Sequence, residues 1–287
     1  MGTDARGITA ITSRDNPRIK QVRALKQRKE RDASGLFLVE GIRHVGEGAA
    51  ADAEARGASK TPWLEYICFS QELLTSDFAL ALILEQAAQG LPCYSLPAEL
   101  FASLAEKENP QGILAVARQH RFNLDELNTL NFAWGVALVA PQDPGNIGAI
   151  LRTIDGVGAS GLLLLGSSTD AYHPNAVRAS MGAIFWYPTA CASFSEFARW
   201  AKRNAYTVIG TSARGSQDYL TAGAYNKPLI LLMGSEREGL TDEQKAACDL
   251  LVRMPMQGRV SSLNLAVATG VMLYTLLEKF SNTSPGS

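Results

Sequence analysis

The stretch Val252–Ala268, VRMPMQGRVSSLNLAVA, sets polar residues into sequence that is otherwise apolar on both sides. Leu250 to Met254 reads as a buried strand, and Ser262, an N-cap type of residue, opens a long apolar helix running to about Phe280. Between them lies a loop of Pro, Gly and Ser. Asn264 then falls in the first helical turn, where unpaired backbone N–H groups and the positive helix end can hold a polar ligand. An ordinary capped core helix accounts for the stretch equally well when it is read alone.

Working outward, four further strand patterns precede it in the C-terminal half, at Gly135–Ala140, Leu162–Leu165, Thr207–Thr211 and Leu229–Met233. They alternate with helical segments, which predicts a mainly parallel sheet. Two of these strands also run straight into polar loops. Ala140–Thr153 carries Asp143 as a cap, Pro144 at the first helical position, and then Asn146 and Arg152. On a regular helix those two point about 120° apart, so within one chain they need not serve the same atom. Arg152 could instead pair with Asp155, with Asn146 merely completing the cap. Leu229–Leu240 ends its strand in a glycine loop with Glu236 just beyond the carboxyl end, the edge at which open parallel sheets bind ligands. Arg237 and Glu238 read as solvated loop charges. Three strand-to-loop transitions thus bring Asn146, Arg152, Glu236, Ser262 and Asn264 toward one sheet edge.

The N-terminal half is a smaller α/β domain. Strands are expected at Leu36–Val39, Leu64–Phe69, Pro92–Leu96 and Ile113–Ala117, with helices at Ile42–Arg56, Ser76–Ala88 and Ala98–Glu106. The polar, turn-rich segment 119–132 divides the halves, giving residues 1–120, a linker at 121–132, a second domain at 133–282 and a tail at 283–287. The net charge of −1 hides a basic segment whose Arg18, Lys20, Arg23, Lys26, Arg28, Lys29 and Arg31 fit one helix from about Pro17, with Ile19, Val22 and Leu25 as its apolar stripe. Such a face can meet RNA phosphates or simply be solvated. The 4 cysteines have neither zinc-ligand nor disulfide-framework spacing, and no apolar run is long enough to span a membrane. A soluble cytoplasmic protein without metal is expected, and His44, His120 and His173 are expected to be structural or at the surface. Gly156-Val-Gly-Ala-Ser-Gly161 matches a dinucleotide fingerprint but precedes its strand instead of following it, so it reads as a helix C-cap and turn.

Taken together, NIGAILRT, GSEREGL and PMQGRVSSLNLAVA resemble the three motifs of the SpoU (TrmH) RNA 2′-O-ribose methyltransferases, and DAYHPNAVRASMGAIF (Asp170–Phe185) is similar to the family's second segment. The N-terminal SRDNPRIKQVRALKQRKERDASGLFLVEG and NPQGILAV are similar to the substrate-binding domain of the rRNA-modifying branch. Leu265-Ala266 departs from the common Val-Ser, touching packing more than chemistry. The resemblance implies a SPOUT fold with a deep trefoil knot, a homodimer, and S-adenosylmethionine held by Thr211, Ser212, Ala213, Gly234, Met254, Pro255, Met256 and Leu263. The last helix, where Ala266, Ala268 and Gly270 allow close approach, is a reasonable part of the dimer interface, and packing within one chain accounts for these residues equally well. It assigns activation of the 2′-hydroxyl to Arg152, with Asn146, Glu236, Ser262 and Asn264 orienting it. Ribosomal RNA is the implied substrate; methylation of tRNA, or a silent RNA-binding or ribosome-assembly factor of the same fold, are the alternatives.

Overall fold

A computed structural model describes residues 7–167, 169–223 and 225–283; the expected tail lies outside them apart from Thr283. Two compact units share the chain, Met1–His120 with Tyr172–Trp186, and Arg121–Ala171 with Tyr187–Ser287.

In the first unit β1 (Ile8–Ala10), α1 (Pro17–Ala24), α2 (Arg28–Ser34), β2 (Leu36–Glu40), α3 (Ile42–Gly57), β3 (Leu64–Phe69), α4 (Asp77–Ala88), β4 (Cys93–Ser95), α5 (Ala98–Ala102) and β5 (Ile113–Arg118) follow one another. The sheet order is β1-β4-β3-β5-β2, with β5 antiparallel to both β3 and β2 and the other pairs parallel. The short β1 was not evident from the sequence, since three residues give too little alternation to read.

The expected single basic helix is two. Asn16 caps α1 through its side-chain oxygen, and the helix ends at Ala24; α2 starts after Gln27. Ile19, Val22 and Leu25 are buried, so the apolar stripe stands, but Arg31 is buried too, at 1% exposure. Its guanidinium turns under the end of α1 and donates to the carbonyls of Leu25 and Lys26, satisfying acceptors that the helix end leaves open. Arg31 therefore serves the turn and offers no charge to a nucleic acid, contrary to the reading from sequence.

Tyr172–Trp186 departs from the expected domain plan. This segment, with α7 (Pro174–Ala179), leaves the second half of the chain and packs within the first unit. The Tyr172 ring lies 4.7 Å from that of Phe37, its hydroxyl donates to the His120 carbonyl, and Phe185 meets Trp63 edge-on at 5.2 Å. Aromatic burial of this kind outweighs chain continuity. The expected linker is likewise part of a core: Leu127 and Phe132 are buried in the second unit, where Trp200 Nε1 donates to the Leu127 carbonyl.

The second unit comprises β6 (Trp134–Val139), α6 (Pro144–Val157), β7 (Leu162–Leu165), β8 (Thr189–Ala192), α8 (Phe194–Arg203), β9 (Thr207–Thr211), β10 (Gln217–Asp218), β11 (Leu229–Met233), α9 (Asp242–Ala246), β12 (Leu250–Arg253) and α10 (Leu265–Thr283). Its seven strands are all parallel, in the order β10-β12-β9-β11-β6-β7-β8. The central strands LILLM and LLLL are buried throughout, as a parallel sheet covered on both faces requires. In the glycine-rich turn α6 ends at Val157, Gly158 caps it with φ of 67°, and β7 follows. That is a helix stop, and it leaves no helix N-terminus for a pyrophosphate.

The last helix starts later than its sequence suggests. Asn264 is its cap: its Oδ1 accepts from the N–H groups of Ala266 and Val267, and its carbonyl accepts from Ala268. Ser262 remains in the exposed loop before it. Ala268 is buried, and a Cβ on Gly270 would lie 3.9 Å from Thr153 of α6, so these small residues pack inside the chain. The face that points outward carries Val267, Val271 and Tyr274 instead.

Candidate active site

Because all the strands of the second sheet run the same way, the loops after β6, β9, β11 and β12 leave from one edge. They enclose a cleft of about 1030 Å3. The residues after β6 form the cap and first turn of α6, where Asp143 Oδ1 accepts from the N–H of Gly145. After β11 the chain doubles back at once, with Ser235 and Gly239 exchanging backbone hydrogen bonds. A Cβ on Gly234 would collide with the backbone of Gly239 and Leu240, so only glycine permits this return.

Three of the expected site residues meet in a chain of hydrogen bonds. Asn146 Nδ2 donates to Glu236 Oε1 at 2.7 Å, and Asn264 Nδ2 donates to Asn146 Oδ1 at 3.0 Å. The other Glu236 oxygen accepts from the N–H of Gln142 at 3.0 Å. Each amide is oriented by what lies at the two ends. The backbone N–H groups of Ala266 and Val267 only donate, so Asn264 turns its nitrogen to Asn146, whose oxygen accepts and whose nitrogen is left to donate to Glu236. Asn146, at 7% exposure, is the buried link, while Glu236 and Asn264 open on the cleft. The network thus joins the starts of α6 and α10 to the loop after β11.

The other expected residues divide cleanly. Thr211, Ser212, Ala213, Gly234, Met254, Pro255, Met256, Ser262 and Leu263 all line the same cleft. Arg152 does not. It is exposed on α6, away from the network, and Asp155 accepts from Tyr187 instead of pairing with it. Arg237, read from the sequence as a solvated loop charge, lines the cleft, and with it stand Arg214, Lys245 and Arg253, which were missed although Arg214 and Arg253 stand at or just beyond the carboxyl ends of β9 and β12. Gln142 was missed because its backbone, not its side chain, binds Glu236. Among the described residues no group of three His, Cys, Asp or Glu could hold a metal ion, and no helix is long and apolar enough to cross a membrane.

Residues 134–274 match the SpoU rRNA Methylase family, and residues 16–115 match an MRM3-like substrate binding domain. A 23S rRNA (uridine(2479)-2′-O)-methyltransferase of Streptomyces viridochromogenes is 34% identical over 92% of this chain and 90% of its own length. The chain belongs to the SpoU methylase family. Another similar protein is the 23S rRNA (guanosine(2553)-2′-O)-methyltransferase RlmP of Bacillus subtilis, 27% identical over 93% of this chain and 98% of its own. Among solved structures, an AdoMet-bound rRNA methyltransferase from Sinorhizobium meliloti superposes with a TM-score of 0.83 at 33% identity, covering 95% of this chain and 98% of that one.

In this SpoU methylase the basic N-terminal segment is only partly free. Arg18 lies 5.0 Å over the Tyr66 ring, Lys20 pairs with Asp15 and Arg28 with Asp32. Arg23 donates to the Arg14 carbonyl and Lys26 to the Ala105 carbonyl, whereas Lys29 is exposed. The exposed pairs hold weakly and can yield to phosphate; Arg31 cannot. The histidines are structural as expected: His44 binds the Arg178 carbonyl, His173 caps α7, and His120 stacks 3.7 Å from Trp63.

Proposed function

We propose that this chain uses S-adenosylmethionine to methylate a ribose 2′-hydroxyl of ribosomal RNA, and that it does so as a cytoplasmic homodimer. The observation that carries this reading is the single cleft in which the loops after four parallel strands meet, tied together by Asn146, Glu236 and Asn264.

The cleft suits the cofactor. Met233, Met254, Met256, Leu263 and Leu265 offer apolar and polarisable surface, the loops after β9 and β11 offer backbone polar groups, and the volume is that of a cofactor site. The trefoil knot belongs to the same proposal, as the family's way of bringing these loops together. Bound there, S-adenosylmethionine would supply a methyl group already activated for transfer. The protein has then to hold the 2′-hydroxyl in line and stabilise charge as it loses its proton. Arg152 is assigned the second task. A guanidinium is a poor base, so Arg152 would hydrogen-bond the developing alkoxide.

The position of Arg152 supports a dimer. On α6 it lies one turn before Gly156, and a Cβ on Gly156 would lie 3.4 Å from the hydroxyl of exposed Tyr274. Arg152 therefore borders the outward stripe of Val267, Val271 and Tyr274 on α10, and pairing of two such stripes would carry it toward a partner's cleft. Arg152→Ala should abolish methylation of ribosomal RNA by labelled S-adenosylmethionine while calorimetry finds cofactor affinity nearly unchanged. Full activity of that variant would remove Arg152 from the mechanism. Nuclease mapping of the labelled ribose identifies the substrate, and label confined to tRNA would replace the ribosomal assignment.

A further inference from the structure

Within the first unit, away from the cleft, lies a second cavity of about 790 Å3 at the start of α3. Its lining includes Arg43, His44, Phe78, Lys107, Gln111 and Arg178. Arg43 and Arg178 are exposed and Lys107 is half-buried; none of the three has a carboxylate partner among the described residues, and Arg178 is held by Asn175 Oδ1 at 2.5 Å. The acid in the lining, Glu47, already accepts from Trp186 Nε1. Three cations thus face one concavity without an ion pair, unlike Lys20 and Arg28 of α1 and α2.

The floor of the cavity has two further features. Phe78, the second residue of α4, is 62% exposed, and its ring lies over α3, where a Cβ on Gly46 would come within 3.6 Å of it. An aromatic ring this exposed, anchored beside a helix, can serve as a stacking platform. His44, though only 7% exposed, also lines the cavity. Its Nε2 lies 3.1 Å from the Arg178 carbonyl, which can only accept, so Nε2 carries the proton and Nδ1 is left as an acceptor. Nδ1 has no hydrogen-bond partner among the described residues. Burial, helped by the positive charges of Lys107, Arg43 and Arg178, lowers the imidazole pKa and keeps it neutral at pH 7.

We infer that this cavity binds a single-stranded segment of RNA, with an unstacked base on Phe78, phosphates on Arg43, Lys107 and Arg178, and a ribose hydroxyl or base N–H given to His44 Nδ1. Cations around an apolar floor with an exposed ring match the way unpaired RNA is held, by stacking and backbone charge. A duplex would keep its bases away from such a ring. The choice of RNA as occupant rests on the methyltransferase reading above; the presence of a binding cavity does not.

The test measures anisotropy of a fluorescent single-stranded 12-nucleotide RNA and of a ribosomal RNA fragment with the full chain at several salt concentrations. Calorimetry with S-adenosylmethionine runs in parallel. R43A/K107A should weaken binding of the single-stranded RNA at least about tenfold and lower its salt slope by about 1.4, roughly 0.7 for each phosphate that is no longer neutralised. F78A should weaken it by about 5- to 100-fold with the slope unchanged, because stacking releases no counterion. K29A, on α2, should lower the slope without touching the Phe78 effect. Wild-type affinity in both cavity variants, with folding intact by circular dichroism, overturns the inference. So does retention on phosphatidylserine vesicles without RNA binding. Loss of cofactor binding in the wild type would instead sink the methyltransferase reading, leaving the RNA result to stand by itself.

Discussion

Asn264 performs two tasks with opposite ends of one amide. Its oxygen caps α10 and its nitrogen orients Asn146 against Glu236. Substitution can separate the two. Asn264→Asp keeps the capping oxygen but turns a second oxygen toward Asn146 Oδ1, so thermal unfolding should change little while methylation falls by an order of magnitude or more. Asn264→Ala should lose the cap as well, costing about 1 kcal/mol in urea unfolding. Equal activity in the aspartate variant would mean that the hydrogen bond between Asn264 and Asn146 has no part in the reaction. The presence of Asn146, Glu236 and Asn264 at a site could be read from residue type and position after predicted strands. Their mutual bonds could not, because residues 118 positions apart are joined only by folding.

At the scale of elements, the two-helix arrangement at Pro17–Ser34 shows where periodicity misleads. Ile19, Val22 and Leu25 were legible as an apolar stripe, and the same spacing made Arg31 one more surface cation. The turn after Ala24 reverses its meaning, since a guanidinium under a helix end is fixed by carbonyls that would otherwise lack donors. Arg31→Met should therefore destabilise the protein by about 1.5–3 kcal/mol in denaturant, the usual worth of hydrogen bonds to a charged group. The salt slope of RNA binding should not move; a fall of about 0.7 would show that Arg31 neutralises a phosphate after all. Helix α10 is a second case. Ala268 and Gly270 pack inside the chain together with Met272, Leu273 and Leu276, which leaves the exposed Val267, Val271 and Tyr274 as the face available to the proposed dimer. If the proposed homodimer forms through this face, V271E should leave a monomer in light scattering and reduce methylation with it.

At the scale of the whole molecule, pH acts through two histidines of the first unit, the buried His44 and the half-buried His120. Burial lowers the pKa of His44 and of His120 below the ordinary 6.5. The unfolded chain then takes up protons that the folded one refuses, so their contribution to stability is present above about pH 6.5 and is lost as the pH falls through the lowered values. The melting temperature should drop on going from pH 7 to pH 5, and His44→Gln, which can still donate to the Arg178 carbonyl, should flatten that dependence. A pH-independent melting temperature in the wild type would refute the assignment. The sequence by itself determined the class of each half, the parallel run of the second sheet and the family, since strand patterning, turn residues and three local motifs are short-range properties of the chain. It could not show that Tyr172–Trp186 returns to the first unit, that Arg31 is buried, or that Arg43, Lys107 and Arg178 face one cavity. Those depend on which distant surfaces exclude water from each other, and that choice is made only when the whole chain packs.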